Sequence, residues 1–135
     1  MKIAAIVVVY HAEKRILFQN IEAFASSVDT IIIWRNSPDD LAYLEKWRSK
    51  MVFMGDGTNR YMAKPLNEAI DYCISKGYDY LLTMDQDSCW EDFNRFIELV
   101  NALPKDGLVA IYAPNVNNYL KDSSIEYKDI EWVRK

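Results

Sequence analysis

Two carboxylates one residue apart, Asp85 and Asp87, interrupt the chain where the apolar run Leu81-Leu82-Thr83-Met84 stops. Such a pair can do two kinds of work. Ser88-Cys89-Trp90-Glu91 fits the S-x-x-E capping box, in which serine and glutamate satisfy the free N–H groups of a helix's first turn, and Asp87 would add a favourable charge near that helix end. That reading gives Asp85 no task. Asp-x-Asp also suits a hard divalent cation, Mg²⁺ or Mn²⁺, which takes oxygen ligands and often binds through one or two carboxylates plus phosphate oxygens. Without a cation, each carboxylate about 4 Å from a phosphate charge costs about 4 kcal/mol at an effective dielectric near 20. A bound metal reverses that sign. A third chemistry, nucleophilic attack by the first aspartate of D-x-D-x-[TV] in haloacid-dehalogenase-like phosphotransferases, meets Cys89 at the fifth position and a motif placed late in the chain.

The elements that would position this pair read as strands alternating with helices. Ile3–Val9 is a continuous, mostly β-branched run, the pattern of a strand buried on both faces. Residues 13–24 place Ile16, Leu17, Ile21 and Phe24 near helical spacing. A second strand is expected over 30–34, a helix from Pro38-Asp39 through Trp47, and a weaker third strand over 51–54. The next helix has Pro65 in its first turn, Gly77 just past its end, and Leu66, Ala69, Ile70, Cys73 and Ile74 as its apolar stripe. Residues 80–84 read as strand four, 90–103 as a helix and 108–112 as strand five. Residues 126–133 could add a strand or helix. Trp47 and Trp90 read as core.

This alternation predicts an α/β fold, a mostly parallel sheet with helices on both faces. Ligands of such sheets bind beyond the carboxyl ends of the strands. The loops there hold Tyr10-His11, Arg35-Asn36-Ser37, residues 55–60 and Asp85-Gln86-Asp87.

Length and composition narrow the classes. A chain of 135 residues, half apolar and about a quarter charged, suits one soluble domain. The net charge of −4 argues against a nucleic-acid partner. The longest apolar run is too short to span a bilayer and lacks the flanks of a signal peptide. Cys73 and Cys89 form no metal or disulfide pattern, so a reduced, cytoplasmic protein is expected, at most at the inner membrane surface.

Four segments together resemble the family 2, GT-A-type glycosyltransferases, especially rhamnosyltransferase-like members. IAAIVVVYH resembles their first strand, which usually ends in Thr-Tyr-Asn, and IIIWRNSPDD their second strand with its VDNSS-like loop. Residues 59–67 (NRYMAKPLN) resemble the N-x-G-I-A-x-A-L-N segment, and YDYLLTMDQDS the metal motif of the rhamnosyltransferase-like group. The resemblance covers residues 2–114 and implies a Rossmann-like nucleotide-diphospho-sugar transferase. The implied reaction transfers a sugar, with inversion, from a nucleoside-diphosphate donor (dTDP- or UDP-linked) to a saccharide or lipid-linked acceptor, in cell-surface polysaccharide synthesis. Carried over, Asp87 would bind Mg²⁺ or Mn²⁺, and Asp85 the ribose or the metal's water shell. Tyr10, Arg35, Asn36, Asn59 and Lys64 fall at donor-binding positions. Tyr10 could line the nucleobase pocket or cap the core. Arg35 and Lys64, with Arg60, could meet phosphates or be surface charges.

Three positions depart from the family pattern: Arg35 stands for its acidic residue, His11 for its asparagine and Tyr61 for its glycine. No residue after Asp87 reads as the catalytic base, which the family carries downstream. The chain is therefore expected to be the donor-binding part, truncated relative to the family, and to bind nucleotide without robust transfer. A non-catalytic binding or interaction module of the same fold is the alternative.

Overall fold

The computed structural model describes residues 1–104, 107 and 109–116. It has an α/β fold whose four strands, β1 (Ile3–Val9), β2 (Thr30–Arg35), β3 (Met51–Met54) and β4 (Tyr80–Met84), form an all-parallel sheet in the order β3-β2-β1-β4. Helices α1 (Lys14–Phe24), α2 (Ala63–Lys76) and α3 (Phe93–Ala102) join a 3-10 segment, Ala42–Lys50, around it.

Burial explains why β1 reads as unbroken apolar sequence. Ile3, Ala5, Val7 and Val9 pack with Leu17, Ile21 and Phe24 of α1, Leu44 and Trp47 of the 3-10 segment, and Phe93 of α3. Ala4, Ile6 and Val8 face the other way, against Ala69 and Cys73 of α2. With both faces covered, alternation has no reason to appear. The cover of the α2 face also raises the Cys73 thiol pKa, because burial disfavours the thiolate.

The helix expected over residues 38–47 starts later and is a 3-10 helix, Ala42–Lys50, with the Ala42 N–H held by Asp40. Leu41, Leu44 and Trp47 recur every third residue, the period at which 3-10 side chains eclipse one another. On α2 the apolar stripe is narrower than its sequence. Ile70 and Ile74 are 45% and 73% exposed, and the helix seats on Pro65, Ala69 and Cys73. Gly77 ends α2 at φ +66, and the bonds Tyr78 N–H to Cys73 C=O and Gly77 N–H to Ile74 C=O complete a Schellman turn.

α3 starts at Phe93, not at Trp90 with Ser88 as its cap. Asp92 caps it, accepting the Arg95 N–H at 2.9 Å. Trp90 lies ahead of the helix with its ring against Phe93 and Phe96, at 4.9 Å from each, and its indole N–H on the Met84 sulfur. Trp90 is partly buried there, and Ser88 to Glu91 are not helical.

These elements lie in a compact unit, Met1–Leu103, and residues from Pro104 on form a second. The described residues of the second unit are neither helix nor strand, so the apolar run at 109–112 is not the expected fifth strand. Leu108 and residues 126–133 lie outside the described residues. Among the described residues, no helix is long and apolar enough to cross a membrane.

Candidate functional site

From β1 the chain proceeds outward through β2 to β3, then returns to place β4 on the other side of β1. The direction of winding reverses between β1 and β4, and a crevice at their carboxyl ends is where open parallel sheets bind ligands. Here that crevice is a cavity of about 350 Å³ whose wall includes Tyr10 after β1, Asn36 after β2, and Asp85 and Asp87 after β4.

A side chain bridges the crevice. Gln86 Oε1 accepts the Tyr10 N–H at 2.8 Å and its Nε2 donates to the Tyr10 carbonyl at 3.0 Å. The carboxamide thus satisfies both backbone groups of Tyr10, as a neighbouring strand would. From beneath, the fully buried Asn20 of α1 donates its amide to the Asp85 carbonyl. Neither contact was visible from sequence, because each spans more than sixty residues.

Asn36 ties in the third loop. It is 4% exposed, and its Oδ1 accepts from Trp34 Nε1 and from the Arg60 N–H, while its Nδ2 donates to the Tyr61 carbonyl, all at 2.9 Å. Asn59 Oδ1 in turn accepts the Tyr61 N–H at 2.9 Å. Gly55 lets this loop approach β2: at φ +77, an added Cβ would stand 2.8 Å from the Arg35 carbonyl oxygen. Ser37 fastens the first loop by accepting the His11 N–H at 2.9 Å.

Of the seven residues singled out from sequence, Tyr10, Asn36, Asn59, Asp85 and Asp87 therefore share one cavity. Arg35 lines a different one, of about 400 Å³, beside Asp39, Asp40 and Arg48, and its buried Nε has no hydrogen-bond partner among the described residues. Lys64 extends from α2 to Glu68, 3.4 Å away. Arg60 turns to Asp56 at 3.4 Å; the Thr58 N–H and this cation hold the Asp56 carboxyl below its usual pKa. Tyr61, Met62 and Gln86 are cavity residues that the sequence did not single out as ligand contacts.

The electrostatics are one-sided. Asp85 and Asp87 are exposed, and neither carboxylate has a hydrogen bond or ion pair among the described residues. No lysine or arginine lines the cavity with them. No three His, Cys, Asp or Glu side chains converge as a metal cage among the described residues. Two free carboxylates suit a cation that completes its shell with water and ligand oxygens, the habit of Mg²⁺.

Fold and site define an α/β protein with an acidic, tyrosine-walled crevice at the switch point of a parallel sheet. Comparison with family models and with curated proteins found no match for the chain.

Proposed function

We propose that this chain is the donor-binding part of a metal-dependent, inverting glycosyltransferase that takes a nucleoside-diphosphate sugar. The observation that carries the reading is the pair of unpartnered carboxylates, Asp85 and Asp87, in a switch-point crevice lined by no cationic side chain. A diphosphate entering that crevice is repelled unless a divalent cation accompanies it. Asp87 and Asp85 would hold Mg²⁺ or Mn²⁺, which when bound supplies positive charge to a departing diphosphate. Tyr10, half exposed on the cavity wall, offers a ring to the nucleobase. Asn36 and Asn59 serve by fixing the loop backbone, since their oxygens are already engaged. The N-terminus of α2 opens beside the same wall at Met62 without a side-chain cap, a favourable end for phosphate charge.

The resemblance of the Asp-Gln-Asp-Ser segment supports a dTDP- or UDP-linked deoxy-sugar as donor and a saccharide or lipid-linked acceptor in cell-surface polysaccharide synthesis, and the cysteine usage supports a cytoplasmic setting. No described residue is assigned as the base, so nucleotide binding is the expected activity of this chain. Thermal unfolding with UDP, dTDP and GDP, each with and without Mn²⁺, tests this. At a hundred times its dissociation constant a ligand adds about 2.7 kcal/mol. Stabilisation that needs Mn²⁺ and disappears in Asp87→Asn and Asp85→Asn is expected. No shift with any nucleotide would leave the non-catalytic module as the better description.

A further inference from the structure

Among the described residues, two without a glycine's freedom have positive φ: His11 at +47 and Tyr61 at +59. At Tyr61 the left-handed conformation, unfavourable for any residue with a Cβ, is imposed by two side chains. Asn59 accepts its N–H and Asn36 donates to its carbonyl, both at 2.9 Å. The strained residue gives the core nothing in return. Tyr61 is 79% exposed, more than Tyr10 at 46%, and it belongs to the wall of the acidic cavity. Glycine would hold the same turn without strain, and the remaining reason for a large side chain is what the ring meets outside the fold.

We propose that Tyr61 is a ligand-binding residue of this crevice, packing its ring on the nucleobase of the nucleoside diphosphate. The inference rests on the donor-binding reading above and adds a contact of this chain's own. The cavity has a chemical polarity that matches such a ligand. Asp85 and Asp87 offer oxygens to a cation carrying the diphosphate, whereas Tyr61, Tyr10 and Met62 offer apolar and aromatic surface to a planar ring. Stacking tolerates any base, so Tyr61 contributes affinity and leaves base choice to other groups.

The test compares UDP with inorganic pyrophosphate, both with Mn²⁺, by titration calorimetry on wild type, Tyr61→Gly and Tyr61→Phe. Tyr61→Gly is expected to raise the melting temperature of the free protein, to weaken UDP roughly ten-fold or more, and to leave pyrophosphate unchanged. Tyr61→Phe keeps the UDP affinity. An unchanged UDP affinity in Tyr61→Gly overturns the proposal, as does an equal loss for UDP and pyrophosphate. If UDP binding is lost in Asp87→Asn but not in Tyr61→Gly, the donor-binding reading stands and this contact falls. A wild-type protein that binds neither ligand removes both.

Discussion

Gln86 and Tyr10, seventy-six residues apart, are joined by a two-way hydrogen bond: the glutamine carboxamide accepts the tyrosine N–H at 2.8 Å and donates to its carbonyl at 3.0 Å. The middle residue of Asp-Gln-Asp is thus a clasp between the loops that follow β1 and β4. Gln86→Ala should cost about 1 kcal/mol by urea unfolding, less than two buried bonds because this edge is partly solvated. The Mn²⁺-dependent nucleotide stabilisation should fall further than the stability itself, since both loops of the crevice lose their tie. Gln86→Glu keeps the acceptor and loses the donor, and should fall between. A variant that unfolds as wild type and binds as wild type would show the clasp to be incidental.

The cap of α3 and the two free carboxylates are separate features of this chain. Asp92, not Ser88, accepts the first-turn N–H of α3, at 2.9 Å from Arg95. Asp92→Ala should cost about 1 kcal/mol, whereas Ser88→Ala should stay within about 0.5 kcal/mol of wild type. Denaturant melts of the two variants side by side decide it. The same geometry frees Asp87 from any cap, so Asp87→Asn should leave stability unchanged and report on ligand alone. A marked loss of stability in unliganded Asp87→Asn would return the residue to a structural role.

How much of this could be read from sequence depends on the range of the interaction concerned. The boundaries of β1, β3 and β4 follow from apolar runs that end at polar loops, and Gly77 marks the end of α2 through its own backbone freedom. The same rule fails at 109–112, because an apolar run acquires a ladder only from a partner strand. It fails differently on α2, where Ile70 and Ile74 match the helical period but face outward. Asp85 stood out in the sequence because a carboxylate at the end of an apolar strand has no packing role, and Asp87 through its spacing from it; both line the cavity. Gln86, Asn20 and Tyr61 did not stand out. The first two act on backbone groups far along the chain, and the third is defined by a φ angle that residue type alone argues against.

His11 and Tyr61 stand where the resembling family has asparagine and glycine, and both take positive φ. The left-handed region suits asparagine and glycine better than the residues present at these two positions. His11→Asn should raise stability by a few tenths to about 1 kcal/mol, since asparagine tolerates the left-handed region and little is lost with the imidazole. Its contact with Asp39 is long, 4.0 Å, and the ring is largely solvated. The backbone bond from the His11 N–H to Ser37 is indifferent to the side chain. A lower melting temperature in His11→Asn would mean that the imidazole's edge contact with the Tyr10 ring, 4.4 Å between centroids, outweighs the strain.

Asn20 allows a test of how dry the floor of the crevice is. Its side chain is fully buried, its amide donates to the Asp85 carbonyl, and its Oδ1 has no partner among the described residues. An aspartate there is nearly isosteric but loses the donor when ionised. Burial and the facing carbonyl both disfavour the charge, so the folded-state pKa of the introduced acid must lie above its unfolded value of about 3.9. For a group raised in this direction, the penalty is absent below the unfolded pKa, where the neutral acid can still donate a proton to the carbonyl. It grows by up to about 1.4 kcal/mol per pH unit until the folded pKa is reached. Asn20→Asp should therefore approach wild type near pH 4 and diverge from it as pH rises to 7. Urea unfolding of both proteins across that range measures the gap. A gap independent of pH would mean that water reaches Asn20 and that the Asp85 carbonyl is not held by a dry contact.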